Sequence, residues 1–121
     1  MNSPWFAKYP KGIPQEIGPY EYESLIDLFE VAARKYPNRV AFENYGKQIT
    51  FEEVDRLSTA FAAYLQTELK LQKGDRIAIQ IPNLIQFPIA FMGSIKAGLI
   101  AVNTNPLYTP HEMLHQFNDA G

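Results

Sequence analysis

A chain of 121 residues with 46% hydrophobic and 20% charged side chains can bury a core of its own as one domain of ordinary size. Its net charge of −2, with Lys and Arg scattered rather than striped, gives nucleic-acid phosphates and anionic membrane surfaces no basic field to meet. It has no cysteine, which excludes disulfides and thiolate metal sites and agrees with a reducing compartment.

The opening MNSPWFAKYPKG lacks the basic start and apolar run of a secretory signal. Residues 1–22, rich in Pro, Gly and Tyr and without a period, predict an extended arm. Trp5, Phe6 and Tyr9 are too few to form a core there. They either pack back on the body or meet a partner subunit, and they are the candidate interface residues. Residues 23–121 form the predicted body.

Ser24 opens the first predicted helix, with Asp27 in the place of the Glu of a capping box. Leu25, Leu28, Phe29, Ala32 and Tyr36 recur at helical spacing as its buried face, and Pro37 stops it. Val40–Tyr45 and Gln48–Thr50 predict a hairpin around Gly46 and Lys47. Thr50-Phe-Glu-Glu53 is a complete capping box for a second helix, whose stripe is Val54, Leu57, Phe61, Tyr64, Leu65 and Leu69. Glu52, Asp55, Arg56, Thr59 and Gln66 are expected in water. Gly74 and Asp75 turn the chain into a strand, Arg76–Ile81, in which isoleucines alternate with smaller residues.

Asn83 is expected to cap the next helix, with Pro88 tolerated in its first turn and Gly98 closing it. A second strand, Leu99–Thr104, follows. Leu84–Val102 is the most apolar stretch, but Ser94, Lys96 and two glycines interrupt it short of the roughly 20 residues of a membrane span. Strand, helix and strand with one crossover is the βαβ unit of a parallel sheet. Thr109-Pro-His-Glu112 is a third capping box, opening a helix that runs to Ala120. The predicted class is α/β: a layered partial sheet with a parallel βαβ unit and an N-terminal hairpin, helices packed on its faces. No strand follows the last helix, so the expectation is a fragment of a larger N-terminal domain.

Chemistry-bearing motifs are sparse. His111-Glu112-Met113-Leu114-His115 satisfies H-E-x-x-H, in which two His share a helix face and the Glu can act on metal-bound water. A third ligand is missing, because Asn118 and Gly121 stand where the extended signature has Gly and His. Asp119 shares the face, but three ligands at i, i+4 and i+8 span about 12 Å, too far for one tetrahedral ion. The plainer reading is two surface histidines flanking a capping Glu, with no metal ligand and no catalytic residue. No Walker loop and no G-x-G-x-x-G is present. Ser58, Ser94 and Thr104 have no recognisable His base. Open parallel sheets bind ligands beyond the carboxyl ends of their strands, which makes Asn83, Asn105 and Tyr108 pocket-rim candidates. Against this, asparagines commonly shape turns and caps.

The wording KGDRIAIQIPN (73–83), the helix to AG, then GLIAVNTNPLYTP (98–110), together with WFAKYPKGIPQEI near the start, resembles the AMP-forming adenylating enzymes, and among them bacterial long-chain fatty-acid–CoA ligases. The resemblance runs along essentially the whole chain and implies the opening part of a much longer enzyme. It implies a parent that activates a fatty acid with ATP and Mg²⁺ and passes the acyl group to coenzyme A. It also implies a cytoplasmic protein, peripheral at the inner membrane face, often a homodimer. The family's phosphate loop, its Tyr-Gly-x-Thr-Glu segment, hinge Asp and catalytic Lys have no counterpart in these residues, so no cofactor site is expected in this portion. Two alternatives stand beside it: a free-standing α/β interaction module, and a zinc hydrolase using the HEMLH match.

Overall fold

The computed structural model describes residues 4–121. The arm contains a 3-10 turn, Pro4–Lys8, within its otherwise irregular course. The body follows as α1 (Leu25–Lys35), β1 (Val40–Asn44), β2 (Lys47–Thr50), α2 (Phe51–Thr67), β3 (Arg76–Ile79), α3 (Gln86–Lys96), β4 (Ile100–Asn103) and α4 (Pro110–Ala120). The architecture is α/β, with two separate two-stranded sheets. β1 and β2 pair antiparallel, and β3 and β4 pair parallel. In the second sheet Arg76 lies opposite Ile100 and Ile79 opposite Asn103, and α3 is the crossover. Both strands are shorter than the sequence pattern predicts. The ladder nonetheless continues beyond them, from Gly74 N–H to the Gly98 carbonyl (2.9 Å) and from Thr104 N–H to the Ile79 carbonyl (3.0 Å).

Local chemistry explains most boundaries. At α2, the Glu53 N–H donates to Thr50 Oγ1 (3.2 Å) and the Thr50 N–H donates to Glu53 Oε2 (2.9 Å), closing the capping box. The next two orphan donors, Phe51 N–H and Glu52 N–H, reach the carbonyls of Arg39 and Pro37. At α1 only half a box forms. Asp27 N–H donates to Ser24 Oγ (3.0 Å), but the shorter Asp27 carboxylate accepts from Glu23 N–H rather than from Ser24. The hairpin turn is Tyr45-Gly46, one residue earlier than predicted. Both have positive φ (50° and 74°), as a two-residue turn matched to strand twist requires.

The core lies between α2, α3 and the β3–β4 sheet: Ala62, Leu65, Ala97 and Leu99, with Phe61, Leu71 and Ile77 packed against it. Leu65 is 1% exposed, and removing such a side chain from water stabilises the fold by about 1.5–3 kcal/mol. The seam of α2 is Val54, Ser58, Ala62 and Leu65, not the larger stripe expected. Tyr64 and Leu69, expected inside, are exposed. The reason is the partner surface. α3 presents Gly93, Ser94 and Ala97, and two faces of small residues approach closely. A Cβ on Gly93 would stand 2.8 Å from the Ser58 carbonyl oxygen and from Phe61 Cδ1. The hydroxyls on the seam are satisfied within their own helices, Ser58 on the Asp55 carbonyl and Ser94 on the Ala90 carbonyl. Helix α1 sits at the margin. Ala33 is buried, while Leu25, Leu28 and Tyr36 of the predicted inner face remain exposed because no element here covers them.

Candidate functional site

The carboxyl ends of β3 and β4 lead into two loops, and the three rim candidates part company there. Asn83 lies two residues before Ile85, where α3 begins, so its side chain does not cap the helix as expected. Its carbonyl instead accepts from Asn44 Nδ2 (3.1 Å), tying the hairpin to the β3–α3 loop. Asn105 shapes its own turn: Oδ1 accepts from Leu107 N–H (3.0 Å), and its carbonyl accepts from Gln80 Nε2 (3.4 Å). Tyr108 faces a different depression, alongside α4. The structure therefore brings Asn83 to one cleft and Tyr108 to another, with Asn105 lining neither.

The cleft at Asn83 is the more enclosed of the two. It measures about 460 Å³ and lies between α1, the hairpin and the start of α3. Phe29, Phe42, Leu84, Phe87, Phe91 and Met92 give it an apolar wall, with Asn44 and Asn83 at its polar end. Phe87 and Phe91, one turn apart on α3, stack at 5.8 Å. The sequence analysis did not single out that pair, although its i, i+4 spacing was the available signal. Phe42 was not legible as a wall residue, because a hairpin's partner surface is set by tertiary packing.

Beside the cleft lies a polar knot that periodicity missed. Lys96, at the end of the apolar α3, has a side chain only 10% exposed. Its ammonium donates to Asp55 Oδ1 (2.5 Å), to the Asp55 carbonyl (3.1 Å) and to Thr59 Oγ1 (2.8 Å). It also lies 5.7 Å from the Phe29 ring centroid, so one cation links α1, α2 and α3. Asp55 and Thr59, expected in open water, are its partners. A lone Lys inside an otherwise apolar helix was the available signal.

At α4 the capping box is complete. Glu112 Oε2 accepts from Thr109 N–H (2.8 Å) and from Thr109 Oγ1 (2.7 Å). The Thr109 hydroxyl, then its backbone N–H, hold the Glu112 carboxyl below its ordinary pKa of 4.5. Thr50 does the same for Glu53, through its backbone N–H first and then its hydroxyl. Glu112 is thus engaged by the cap rather than free to act as a base. Among the described residues, no three His, Cys, Asp or Glu side chains gather as a metal cluster. The arm residues lie apart from all of this. Phe6 meets Trp5 edge-on at 6.3 Å and Tyr9 at 5.6 Å, and Trp5 and Tyr9 remain exposed.

A family model described as AMP-binding enzyme matches residues 29–121. The chain belongs to the AMP-binding enzyme family. It is 51% identical over 121 residues to a long-chain-fatty-acid–CoA ligase of Salmonella typhimurium, a match covering 100% of this chain and 22% of that one. A ligase of the same description from Bacillus subtilis is 42% identical over 119 residues, 98% of this chain and 21% of its own. The N-terminal subdomain of Klebsiella oxytoca NpsA, solved with 3-hydroxyanthranilyl-AMSN, has a TM-score of 0.79 at 28% identity, over 84% of this chain and 26% of that one. VinN, solved with L-aspartate, gives 0.76 at 31% identity, over 82% and 28%. The chain therefore spans about 22% of the length of the curated relatives it matches.

That family membership implies ATP and its metal, and the residues here do not supply the donors for them. There is no Gly-rich phosphate loop and no carboxylate cluster among the described residues. The buried ammonium of Lys96 is directed at Asp55 and Thr59. No helix of the described residues is long and apolar enough to cross a membrane.

Proposed function

We propose that these residues are the opening portion of a long-chain fatty-acid–CoA ligase. The whole protein would convert a fatty acid, ATP and coenzyme A to acyl-CoA, AMP and pyrophosphate. The observation that carries this reading is 51% identity sustained over the entire chain. The role of this portion is scaffold: the α2–α3 seam and the β3–α3–β4 unit hold loops whose catalytic partners lie elsewhere in the protein. Asn83, Asn105 and Tyr108 would then shape the floor on which those partners rest. Trp5 and Tyr9, exposed on the arm, would contact a second subunit together with the half-buried Phe6 between them. The protein would be cytoplasmic and peripheral at the inner membrane face. By itself the chain would be inactive, because the groups that stabilise a phosphate transition state are absent from it.

Grafting tests the assignment. Residues 1–121 replace the corresponding opening of the Salmonella ligase, and the chimera is assayed for oleoyl-CoA formation with ATP and Mg²⁺. Activity is expected. A chimera that folds, by circular dichroism and monodisperse elution, yet makes no oleoyl-CoA with any long-chain acid would overturn the reading. The 121-residue chain alone should show no oleate-dependent ATP–pyrophosphate exchange. Light scattering on the chimera should give a dimer, and Trp5→Ala with Phe6→Ala should shift it toward monomer.

A further inference from the structure

The capping role of Glu112 leaves two histidines of the HEMLH match unexplained. His111 and His115 lie one turn apart within α4, both exposed. At i and i+4 their Cβ atoms stand about 5–6 Å apart on one face. That spacing lets two imidazoles converge on one ion with metal–nitrogen distances of about 2.0–2.1 Å. Both line one depression of about 450 Å³, together with Tyr108, Glu112, Gln116 and Asp119. Gln116 Oε1 is buried and has no hydrogen-bond partner among the described residues. Its amide nitrogen is used, donating to the Asn103 carbonyl (3.1 Å). An unpaired acceptor at the edge of this depression suits a metal-bound water.

We propose that His111 and His115 form a two-imidazole site for a borderline divalent transition-metal ion, open to water at its remaining positions. Imidazole selects zinc, copper and nickel over magnesium and calcium, which prefer oxygen. The positive end of the α4 dipole opposes a cation near His111, and the ionised Glu112 carboxylate at the cap offsets it. Glu112 lines the same depression, but its Oε2 accepts from Thr109 and the residue stands about 100° around the helix from His111, off the line the two imidazoles share. Asp119 stands one turn beyond His115 and two beyond His111, so it cannot share one ion with both histidines. With two protein ligands the site is a surface chelate and not the closed tetrahedron of a structural zinc site. The inference is independent of the ligase reading.

The test uses the untagged 121-residue protein and zinc chloride as probe, by isothermal titration calorimetry. One zinc per chain is expected. Losing an outer-sphere partner of a metal costs about 10- to 100-fold in affinity, so His111→Gln or His115→Gln, each removing a direct ligand, should cost at least about tenfold. Asp119→Asn should leave affinity within about twofold, whereas a site that uses Asp119 as a ligand would lose at least about tenfold in it. The double change His115→Gln with Gln116→His keeps the histidine count and moves one ring about 100° around the helix, so binding should be lost. Zinc should also raise the melting temperature of the wild type and not that of His115→Gln, because it bridges two turns of α4. Equal affinity in wild type and both single variants, or binding retained by the shifted-histidine protein, would overturn the site.

Discussion

Two surfaces of α3 differ in how they are met. Toward α2 it presents Gly93, Ser94 and Ala97, all buried and in close contact. Toward α1 and the hairpin it presents Phe87, Phe91 and Met92, which line an open cleft of about 460 Å³. The large side chains lie at the loose contact and the small ones at the tight one. Small side chains let backbones approach and so gain many dispersion contacts, whereas rings held apart by an uncovered gap forfeit part of theirs. Side-chain size alone therefore misidentifies where this molecule is held together.

Truncation sharpens the contrast most. Leu65→Ala, at the tight contact, should cost about 2–5 kcal/mol by urea denaturation. An effect below about 1 kcal/mol would mean that the seam is not the core. Next comes the polar knot. Lys96→Ala removes a nearly buried cation with three hydrogen bonds, although the partly exposed Asp55 regains water, so about 1–3 kcal/mol is expected. Lys96→Met keeps most of the stem's packing and should cost less. If both variants cost the same, the stem contributes nothing.

Gly93→Ala has opposing terms. Ala is favoured over Gly inside a helix by about 1 kcal/mol. The added Cβ, however, would meet the Ser58 carbonyl oxygen at 2.8 Å, and a backbone oxygen cannot step aside without moving α2. Overpacking of this kind costs about 1–3 kcal/mol, so the variant should be less stable than wild type. A stabilised variant would show that the seam can open. On the loose side, Phe42→Ala removes a ring that is already partly exposed and should cost only about 1 kcal/mol.

The smallest effect is the acid response of the caps. The folded pKa values of Glu53 and Glu112 lie below the ordinary 4.5. Such carboxylates stabilise the fold above their unfolded value, and that contribution disappears as the pH falls through the folded value. The melting temperature should therefore fall between pH 5 and pH 3 more steeply in wild type than in Glu53→Gln with Glu112→Gln. Parallel pH profiles would show that these carboxylates do not contribute through ionisation.

What the chain states about itself follows the range of the interactions. Thr50 with Glu53 and Thr109 with Glu112 were legible because a capping box closes within four residues. Gly98, with φ of 81°, was legible as a helix stop for the same reason. The parallel βαβ unit was legible because alternation in 76–81 and the length of the crossover leave few other pairings. Asn83 was misread because the chain makes an extra turn at Leu84 and Ile85 before α3 begins, with Leu84 N–H on the Pro82 carbonyl. The α2 stripe was misread because an apolar period says which face is buried only if the neighbouring surface is known. Glycine and serine on α3 select a narrow seam, and they lie some thirty residues further along the chain.

The amino-acid order by itself determined the elements of the body, the caps at Ser24, Thr50 and Thr109, the family wording and the absence of a phosphate loop. Each depends on neighbours within a few residues or on types of side chain present. Only the tertiary structure decided that Lys96 is enclosed by Asp55 and Thr59, and that Glu112 is spent on a cap while His111 and His115 stay open. It also decided that the three rim residues lie in different places. Those outcomes depend on which surfaces meet, and close packing between distant segments sets that.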